Sequence, residues 1–456
     1  MNDLYTLSEA IQKLESIGQQ HLLRFWDKLT SDQQALLLEQ IRLTDADIFS
    51  QQQQLLRSKP IPHGSFTPFQ DYALAGSKKD FAAGKELIAK GKVGCIILAG
   101  GQGTRLRFNG PKGMFPVTPI KRKSLFQLFA EKNLAASKLA GRPLKMAVMS
   151  STQNVEVTKS FFKKNANFGL QSDQLSFFLQ GELPLLNDEG NLFLTNPSTI
   201  AFGPDGNGSC LPNFVNSGLW EKWSQEGIEY INVILIDNAL GDPFPAEVVG
   251  FHKRMGSLAT IKCMVRASAD EKVGVLVQGA EGVSVVEYSE MTESERSAHQ
   301  QNGALKHQCA NMSSFCYDMA FIKEVTAHAS ISWHLAHKSF PYINEKGDEV
   351  TPQQPNAWKY EEYIFDWLPY AQHVNALLFP RKECFAPLKN EIGDDNLESV
   401  QQALIHRDIA ILEDLSHNKV TTKKIELAQE FYYPTLDLLK RWQNRPIENE
   451  GYIEDL

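Results

Sequence analysis

The chain has 456 residues, with 54 acidic against 46 basic side chains and a formal charge of −8, enough length for two or three domains around a large core. That balance argues against a general nucleic-acid binder or a protein coating an anionic membrane, so any anion handled here must be met by local cations. No apolar run reaches the ~18 residues needed to cross a bilayer, and residues 1–10 lack the basic flank and apolar centre of a signal peptide, so a cytoplasmic location is expected.

Residues 1–90 read as a helical region. Leu4, Leu7, Ile11, Leu14 and Ile17 recur at helical spacing, residues 21–26 open a second amphipathic segment, and Thr30-Ser31-Asp32 is a cap for a third helix. Residues 60–68, with three prolines and Gly64, suit a linker. From Val93 the texture changes to apolar runs alternating with amphipathic stretches, the pattern of an α/β protein with a mostly parallel twisted sheet flanked by helices. Strands are expected over the apolar run that begins Ile96-Ile97-Leu98 and at 145–149, 175–179 and 231–236, and helices at 124–139, 154–164 and 396–412. We expect a catalytic domain over 91–385 and a small C-terminal domain over 386–456. In such sheets ligands bind beyond the C-terminal ends of the strands, so the residues following each strand carry the most information.

The most telling of these is the first. Ile96-Ile97-Leu98-Ala99 runs directly into Gly100-Gly101-Gln102-Gly103-Thr104-Arg105, and Pro111-Lys112-Gly113 follows closely. A buried strand emptying into three glycines within four positions makes a loop whose backbone amides can close on phosphate oxygens, with Arg105 and Lys112 adding permanent cations. The spacing excludes two commoner phosphate motifs. A dinucleotide fingerprint needs a further glycine where Leu106 stands and an acidic residue ~20 positions later, where Lys121-Arg122-Lys123 stands instead. A Walker loop needs Gly-Lys followed by Ser or Thr, which neither Gly84-Lys85-Glu86 nor Gly91-Lys92-Val93 provides.

The pattern Leu-Ala-Gly-Gly-x-Gly-Thr-Arg-Leu with Pro-Lys-Gly after it resembles the signature of the UDP-sugar pyrophosphorylase family, and within it the branch acting on UDP-N-acetylhexosamines. The resemblance implies a nucleotidyltransferase fold of the GT-A or Rossmann-like kind. It implies transfer of a uridylyl group from UTP to a sugar-1-phosphate, giving a UDP-sugar and pyrophosphate, with Mg²⁺ (or Mn²⁺) as cofactor. N-acetylglucosamine-1-phosphate or another hexose-1-phosphate is the expected acceptor, with glucose-1-phosphate as the alternative. Leu98, Ala99, Gly100, Gly101 and Gly103 would bind the nucleotide phosphates. Gln180, whose amide offers a donor and an acceptor together, suits one edge of a uracil ring. Gly206 and Asn207, inside Pro204-Asp205-Gly206-Asn207-Gly208, would close on the base and ribose. Asp237, after the strongly apolar 231–236 strand, would hold the metal.

Further along, Glu287 and Tyr288 in the Val-Glu-Tyr-Ser-Glu string, together with Gly274, are expected at the sugar. The branch has Phe-Asn-Ala-Gly-Asn where this chain has His307-Gln308-Cys309-Ala310-Asn311. Asn311 is kept in place and Gln308 is not the residue expected, which leaves the N-acetyl preference open. Lys359, in Asn-Ala-Trp-Lys-Tyr-Glu, and Lys389, in Ala-Pro-Leu-Lys-Asn, match the remaining two lysine motifs and join Arg105 and Lys112 as expected catalytic cations.

Two alternatives compete with this reading: a glycosyltransferase using a UDP-sugar donor, which would usually present Asp-x-Asp where Asp237-Asn238-Ala239 stands, and a non-catalytic UDP-sugar-binding protein. Six cysteines without a Cys-x-x-Cys pair suggest buried thiols rather than zinc or disulfides. His334 and His337 are expected on one face of a helix surface. Oligomeric state is not legible.

Overall fold

The six residues Val93–Leu98 are buried without exception, as a strand covered on both faces of a parallel sheet must be. In the computed structural model, which describes residues 5–58, 65–422, 424–447 and 450–455, this strand lies inside a sheet of 11 strands. In chain order they are β1 (Thr67–Pro68), β2 (Tyr72–Leu74), β3 (Val93–Leu98), β4 (Lys145–Ser150), β5 (Leu175–Leu179), β6 (Tyr230–Leu235), β7 (Ala259–Val265), β8 (Val275–Gly279), β9 (Gly282–Val286), β10 (Cys309–Asp318) and β11 (Val374–Phe379). The main path runs β2-β11-β7-β10-β6-β3-β4-β5, and β8 pairs with β1, β9 and β10. Along that path every pairing is parallel except the two made by β10. The architecture is therefore the expected mostly parallel α/β sheet.

The order of β6, β3, β4 and β5 reverses direction at β3. From β3 the chain adds β4 and β5 on one side and then returns to place β6 on the other, so the loops after β3 and β6 diverge from adjacent strand ends. Such a reversal opens a crevice at the C-terminal edge of the sheet, where ligands settle. Helix Leu125–Ala140 begins at Ser124, whose side chain accepts from Gln127 N, and buries Leu128, Phe129, Ala135 and Ala136 in the core beneath.

By contacts the chain forms two compact units, each discontinuous in sequence. The larger holds residues 63–180, 210–330 and 364–456 and contains the sheet. The smaller holds residues 1–62, 181–209 and 331–363. Its core explains its membership: Leu14, Leu37, Ile41 and Phe49 of the N-terminal helices are buried with Leu186, Leu194 and Tyr360. Helix Ser31–Leu43 starts at the expected cap, with Thr30 and Gln33 in a reciprocal capping box. Residues 21–26 form parts of two short 3₁₀ turns rather than one amphipathic helix. The first five residues of the expected 60–68 linker lie outside the described residues.

His334 and His337 depart from expectation. They occupy a strand, His334–Lys338, paired antiparallel with Ala357–Glu361, and residues three apart on a strand face opposite sides. His337 instead stacks on Trp358 at 4.2 Å and meets Asp188 at 2.8 Å. The C-terminal segment builds its own small core in the larger unit from Leu412, Leu415, Ile425, Phe431, Leu438 and Trp442. All six cysteines are buried and free. Among the described residues no helix is long and apolar enough to cross a membrane.

Candidate active site

The loop leaving β3 closes on itself. Gly103 N donates to Gly110 O at 2.9 Å and Lys112 N to Gly101 O at 3.1 Å, which returns Lys112 to the side of the first glycines. Leu98 and Ala99 are buried at its root. The backbone amides of Gly100, Gly101 and Gln102 donate to no acceptor among the described residues, and the space a Gly101 Cβ would take is open. Successive unpaired amides on a glycine turn make a concavity suited to phosphate oxygens. Arg105 is exposed on the same loop, in the single turn Thr104–Leu106.

Gly100 has a second role. A Cβ there would stand 2.0 Å from Gln180 Oε1, so the missing side chain is what lets the buried Gln180 amide lie against the loop. Asn154, after β4, was not anticipated from the sequence. Its Nδ2 donates to Gly100 O at 2.9 Å while its Oδ1 accepts from Gln102 Nε2 at 2.6 Å, fixing the loop from below. The ends of β3, β4 and β5 thus converge on one backbone turn.

Asp237 follows β6 on the other side of the crevice. Lys112 Nζ lies 3.4 Å from its Oδ2, both side chains being mostly buried, while its Oδ1 is buried with no hydrogen-bond partner among the described residues. A carboxylate oxygen left without a donor in a dry site is costly unless a cation completes it. One carboxylate supplemented by phosphate oxygens and water is the manner in which Mg²⁺ is commonly held. No cluster of three or more His, Cys, Asp and Glu among the described residues could hold a metal unaided.

Lys389 reaches this edge through backbone pairing. Leu388 N donates to Asp237 O at 2.9 Å, and the Asn238 side chain donates to Cys384 O at 2.8 Å and accepts from Ala386 N at 2.9 Å. The Lys389 ammonium lies 3.7 Å from Asp395 Oδ2. The turn after Asp237 is gripped by two cations that the sequence reading missed, Lys132 and Arg407. Burial lowers the Lys132 ammonium from its ordinary range to about 7. A lysine inside the apolar stripe of Leu128, Phe129, Ala135 and Ala136 was the available signal.

Three of the expected sugar residues meet where β8, β9 and β10 come together. Asn311 N donates to Gly274 O at 2.8 Å, and a Cβ on Gly274 would stand 2.7 Å from Glu287 Oε1. β9 ends at Val286, and Glu287 and Tyr288 lie in the turn beyond it, closed by Glu290 N donating to Glu287 O at 2.9 Å. Tyr288 O accepts from Arg296 at 3.3 Å. Asn311 Oδ1 accepts from Ser313 N at 2.9 Å, and Gln308 Nε2 stands 3.5 Å from the Tyr72 hydroxyl.

Gly206, Asn207 and Lys359 belong to the smaller unit. Gly206, at φ +93°, carries its turn against Glu362, whose carbonyl oxygen would lie 2.1 Å from a Cβ. Glu362 N donates to Asp205 O at 2.7 Å and Gly208 N to Glu362 O at 2.9 Å, so the Asp-Gly-Asn-Gly loop is locked to the end of the strand carrying Lys359. Lys359 Nζ pairs with Glu361 at 2.7 Å, and its stem packs 3.3 Å from the Cβ position of Gly203.

The chain is similar to known proteins over most of its length. The family model described as UTP–glucose-1-phosphate uridylyltransferase matches residues 47–448. UDP-N-acetylglucosamine diphosphorylase 2 of Arabidopsis thaliana is 31% identical over 410 residues, covering 84% of this chain and 80% of the relative. UDP-N-acetylglucosamine pyrophosphorylase of Saccharomyces cerevisiae is 30% identical over 479 residues, covering 98% and 99%. Among solved structures, the uridine diphosphate N-acetylglucosamine pyrophosphorylase of Trypanosoma brucei superposes with a TM-score of 0.79 at 24% identity over 98% of this chain and 97% of that one, which supports the fold.

Proposed function

The chain belongs to the UTP–glucose-1-phosphate uridylyltransferase family, and on that premise we propose how its residues divide the chemistry. The protein is a nucleotidyltransferase that joins UTP and a sugar-1-phosphate into a UDP-sugar, releasing pyrophosphate. A phosphate oxygen of the sugar-1-phosphate attacks the α-phosphorus of UTP; the bond to the β-phosphate breaks and pyrophosphate leaves with the electron pair. A phosphate monoester has a second pKa of ~6, so the nucleophile is already anionic near neutral pH and no strong base is needed. Catalysis reduces to aligning two anions that repel each other and stabilising charge on the α-phosphate and the leaving group.

The unpaired amides of Gly100, Gly101 and Gln102 take phosphate oxygens, with Lys112 and Arg105 adding charge. Gln180 reads the uracil edge, and Gly206 and Asn207 contact base and ribose. Lys359 and Lys389 contribute further cations to the phosphates. Gly274, Glu287, Tyr288, Gln308 and Asn311 receive the sugar. Asp237 would hold Mg²⁺ (or Mn²⁺), which when bound would neutralise phosphate charge. Synthesis in the cytoplasm fits the same reading.

The observation that supports it most is the 3.4 Å approach of Lys112 to Asp237 beside the unpaired amides. For the sugar, N-acetylglucosamine-1-phosphate is the assignment, since relatives matching most of the chain carry UDP-N-acetylglucosamine in their names. A second reading, glucose-1-phosphate, is supported by the description of the matching family model, and Gln308 leaves the N-acetyl preference open. Pyrophosphate release from UTP and Mg²⁺ across a panel of hexose-1-phosphates, with ATP, GTP, CTP and dTTP as controls, decides between them. Turnover with UTP and N-acetylglucosamine-1-phosphate is expected; faster turnover with glucose-1-phosphate replaces the sugar assignment, and none with any pair removes the enzyme reading.

A further inference from the structure

The turn after Asp237 presents three successive carbonyls, of Ala239, Leu240 and Gly241, that receive no backbone N–H among the described residues. Two cations from distant parts of the larger unit take them. Lys132 Nζ, in helix Leu125–Ala140, donates to Ala239 O at 3.0 Å and to Gly241 O at 2.8 Å. Arg407 Nη1, in helix Leu397–Ser416, donates to Leu240 O at 2.7 Å. Both also lie over the Tyr432 ring, at 5.3 Å and 5.1 Å from its centroid.

The Lys132 side chain is 1% exposed. An ammonium held that deep is expensive, and an apolar residue of similar volume would often serve stability as well or better. What the lysine adds is geometry, because one terminal nitrogen can donate to two carbonyls of a tight turn at once. Asn232 Nδ2 binds the next two carbonyls, of Asp242 and Pro243, at 2.9 and 3.0 Å, and the Tyr433 hydroxyl donates to the Asp242 carboxylate. The turn is therefore gripped along its whole length while the Asp237 carboxylate at its head keeps one oxygen unpaired.

Resting on the assignment of Asp237 to a phosphate-bound cation, we propose that Lys132 and Arg407 are positioning residues that hold the Asp237 carboxylate at the crevice edge in the place where it meets both Lys112 and that cation. Neither touches substrate. Each acts through the backbone of residues 239–241. Helix Leu397–Ser416 thereby becomes part of the catalytic apparatus rather than an appendage.

The test is Mg²⁺ binding to the full chain with UTP, read by calorimetry, beside pyrophosphate release from UTP and N-acetylglucosamine-1-phosphate titrated with Mg²⁺, for Arg407→Ala, Arg407→Lys, Lys132→Met and, as reference, Asp237→Asn. Removing either grip should raise the Mg²⁺ concentration for half-maximal rate by about tenfold or more, as loss of outer-shell support usually does, with the KM for UTP held within about twofold. Arg407→Lys should recover most of the loss. Melting temperatures are followed in parallel, and should Lys132→Met fail to fold, the two Arg407 variants carry the same test. Wild-type Mg²⁺ midpoints in folded variants overturn the inference. So does a fall in rate with the midpoint unmoved, which general loosening would give. If Asp237→Asn itself keeps the wild-type Mg²⁺ response, the assignment of Asp237 falls, and this inference falls with it.

Discussion

Leu388 donates its backbone N–H to the carbonyl of Asp237 at 2.9 Å, so the acidic side chain at the end of β6 and Lys389 one residue further on are placed by the same hydrogen bond. Lys112 stands on the other flank of Asp237. Asp237→Asn preserves the size of the side chain and removes its charge. Turnover should fall by about 100-fold or more, while Mg²⁺ titration loses its saturable response, because an amide cannot balance a divalent cation among phosphates. Metal-dependent rates at the wild-type level in the folded variant would refute the role.

Asp408 gives a pH signature of stability. It is 2% exposed, its Oδ2 accepts from Leu427 N at 2.9 Å and its Oδ1 from the Tyr432 hydroxyl. Burial pushes its carboxyl from 3.8 up to about 7. An acid whose folded pKa is raised makes the folded state bind a proton more readily than the unfolded one. Its contribution is full below the unfolded pKa and is lost as pH rises through about 7. Asp408→Asn should flatten the pH dependence of the urea midpoint between about 4 and 7 and gain on the wild type near pH 8. Parallel curves for the two proteins across that window would contradict the assignment.

Much of this was legible in the residues because it is written locally. The apolar run Ile96-Ile97-Leu98-Ala99 ending in glycines, the start of a helix at Lys123 or Ser124, and the Thr30-Ser31-Asp32 cap each mark a strand end or a helix start by short-range rules. The site loop was legible for the same reason: Pro111-Lys112-Gly113 lies close enough to Gly101 to be paired with it through one hairpin-like closure. What stayed hidden depends on distance. The helices before residue 58 share a core with 181–209 and 331–363, which no local period encodes. His334 and His337 carry a spacing that suits a helix face, and pairing with Ala357–Glu361 overrides it. Lys132 matters through carbonyls 107 and 109 positions away, and only its place in an apolar stripe hinted at that.

Glu287 should separate sugar binding from nucleotide binding. Its carboxylate lies over Gly274, beside Asn311, at the meeting of β8, β9 and β10. Glu287→Gln keeps the shape and, on the proposed role, would weaken hydrogen bonds to sugar hydroxyls, since a charged acceptor binds more strongly than a neutral one. The KM for the sugar-1-phosphate should rise about tenfold with the KM for UTP within about twofold. Equal changes in both constants would mean the residue supports the fold of the turn and does not meet the sugar.

Gly100 meets Gln180 at the head of the glycine loop. Alanine there would bring a methyl to 2.0 Å from Gln180 Oε1, far inside contact distance, so the Gln180 amide must leave or the loop must open. On the proposed roles the two losses would fall on the base and the phosphates together, and the KM for UTP should rise about tenfold or more with a fall in turnover. Gln180→Ala in the same background relieves the clash and should restore the phosphate part of the loss alone. If Gly100→Ala binds UTP as the wild type does, the contact between amide and loop is dispensable.

Lys389 tests whether rate and nucleotide affinity are carried by different residues. Its ammonium lies 3.7 Å from Asp395 Oδ2 and is 42% exposed, so it is held loosely enough to turn from that carboxylate toward a more highly charged phosphate. An interaction made mainly with charge that develops during transfer lowers kcat when removed and leaves ground-state binding nearly intact. Lys389→Ala should therefore reduce kcat by about 100-fold, with the affinity for UTP, measured by calorimetry, changed by less than about threefold. Lys389→Arg keeps the charge and should recover part of the rate. A parallel loss of UTP affinity and rate would place Lys389 in ground-state nucleotide binding, and Asp395→Asn, which frees the ammonium, would then tighten UTP where the present reading expects little change.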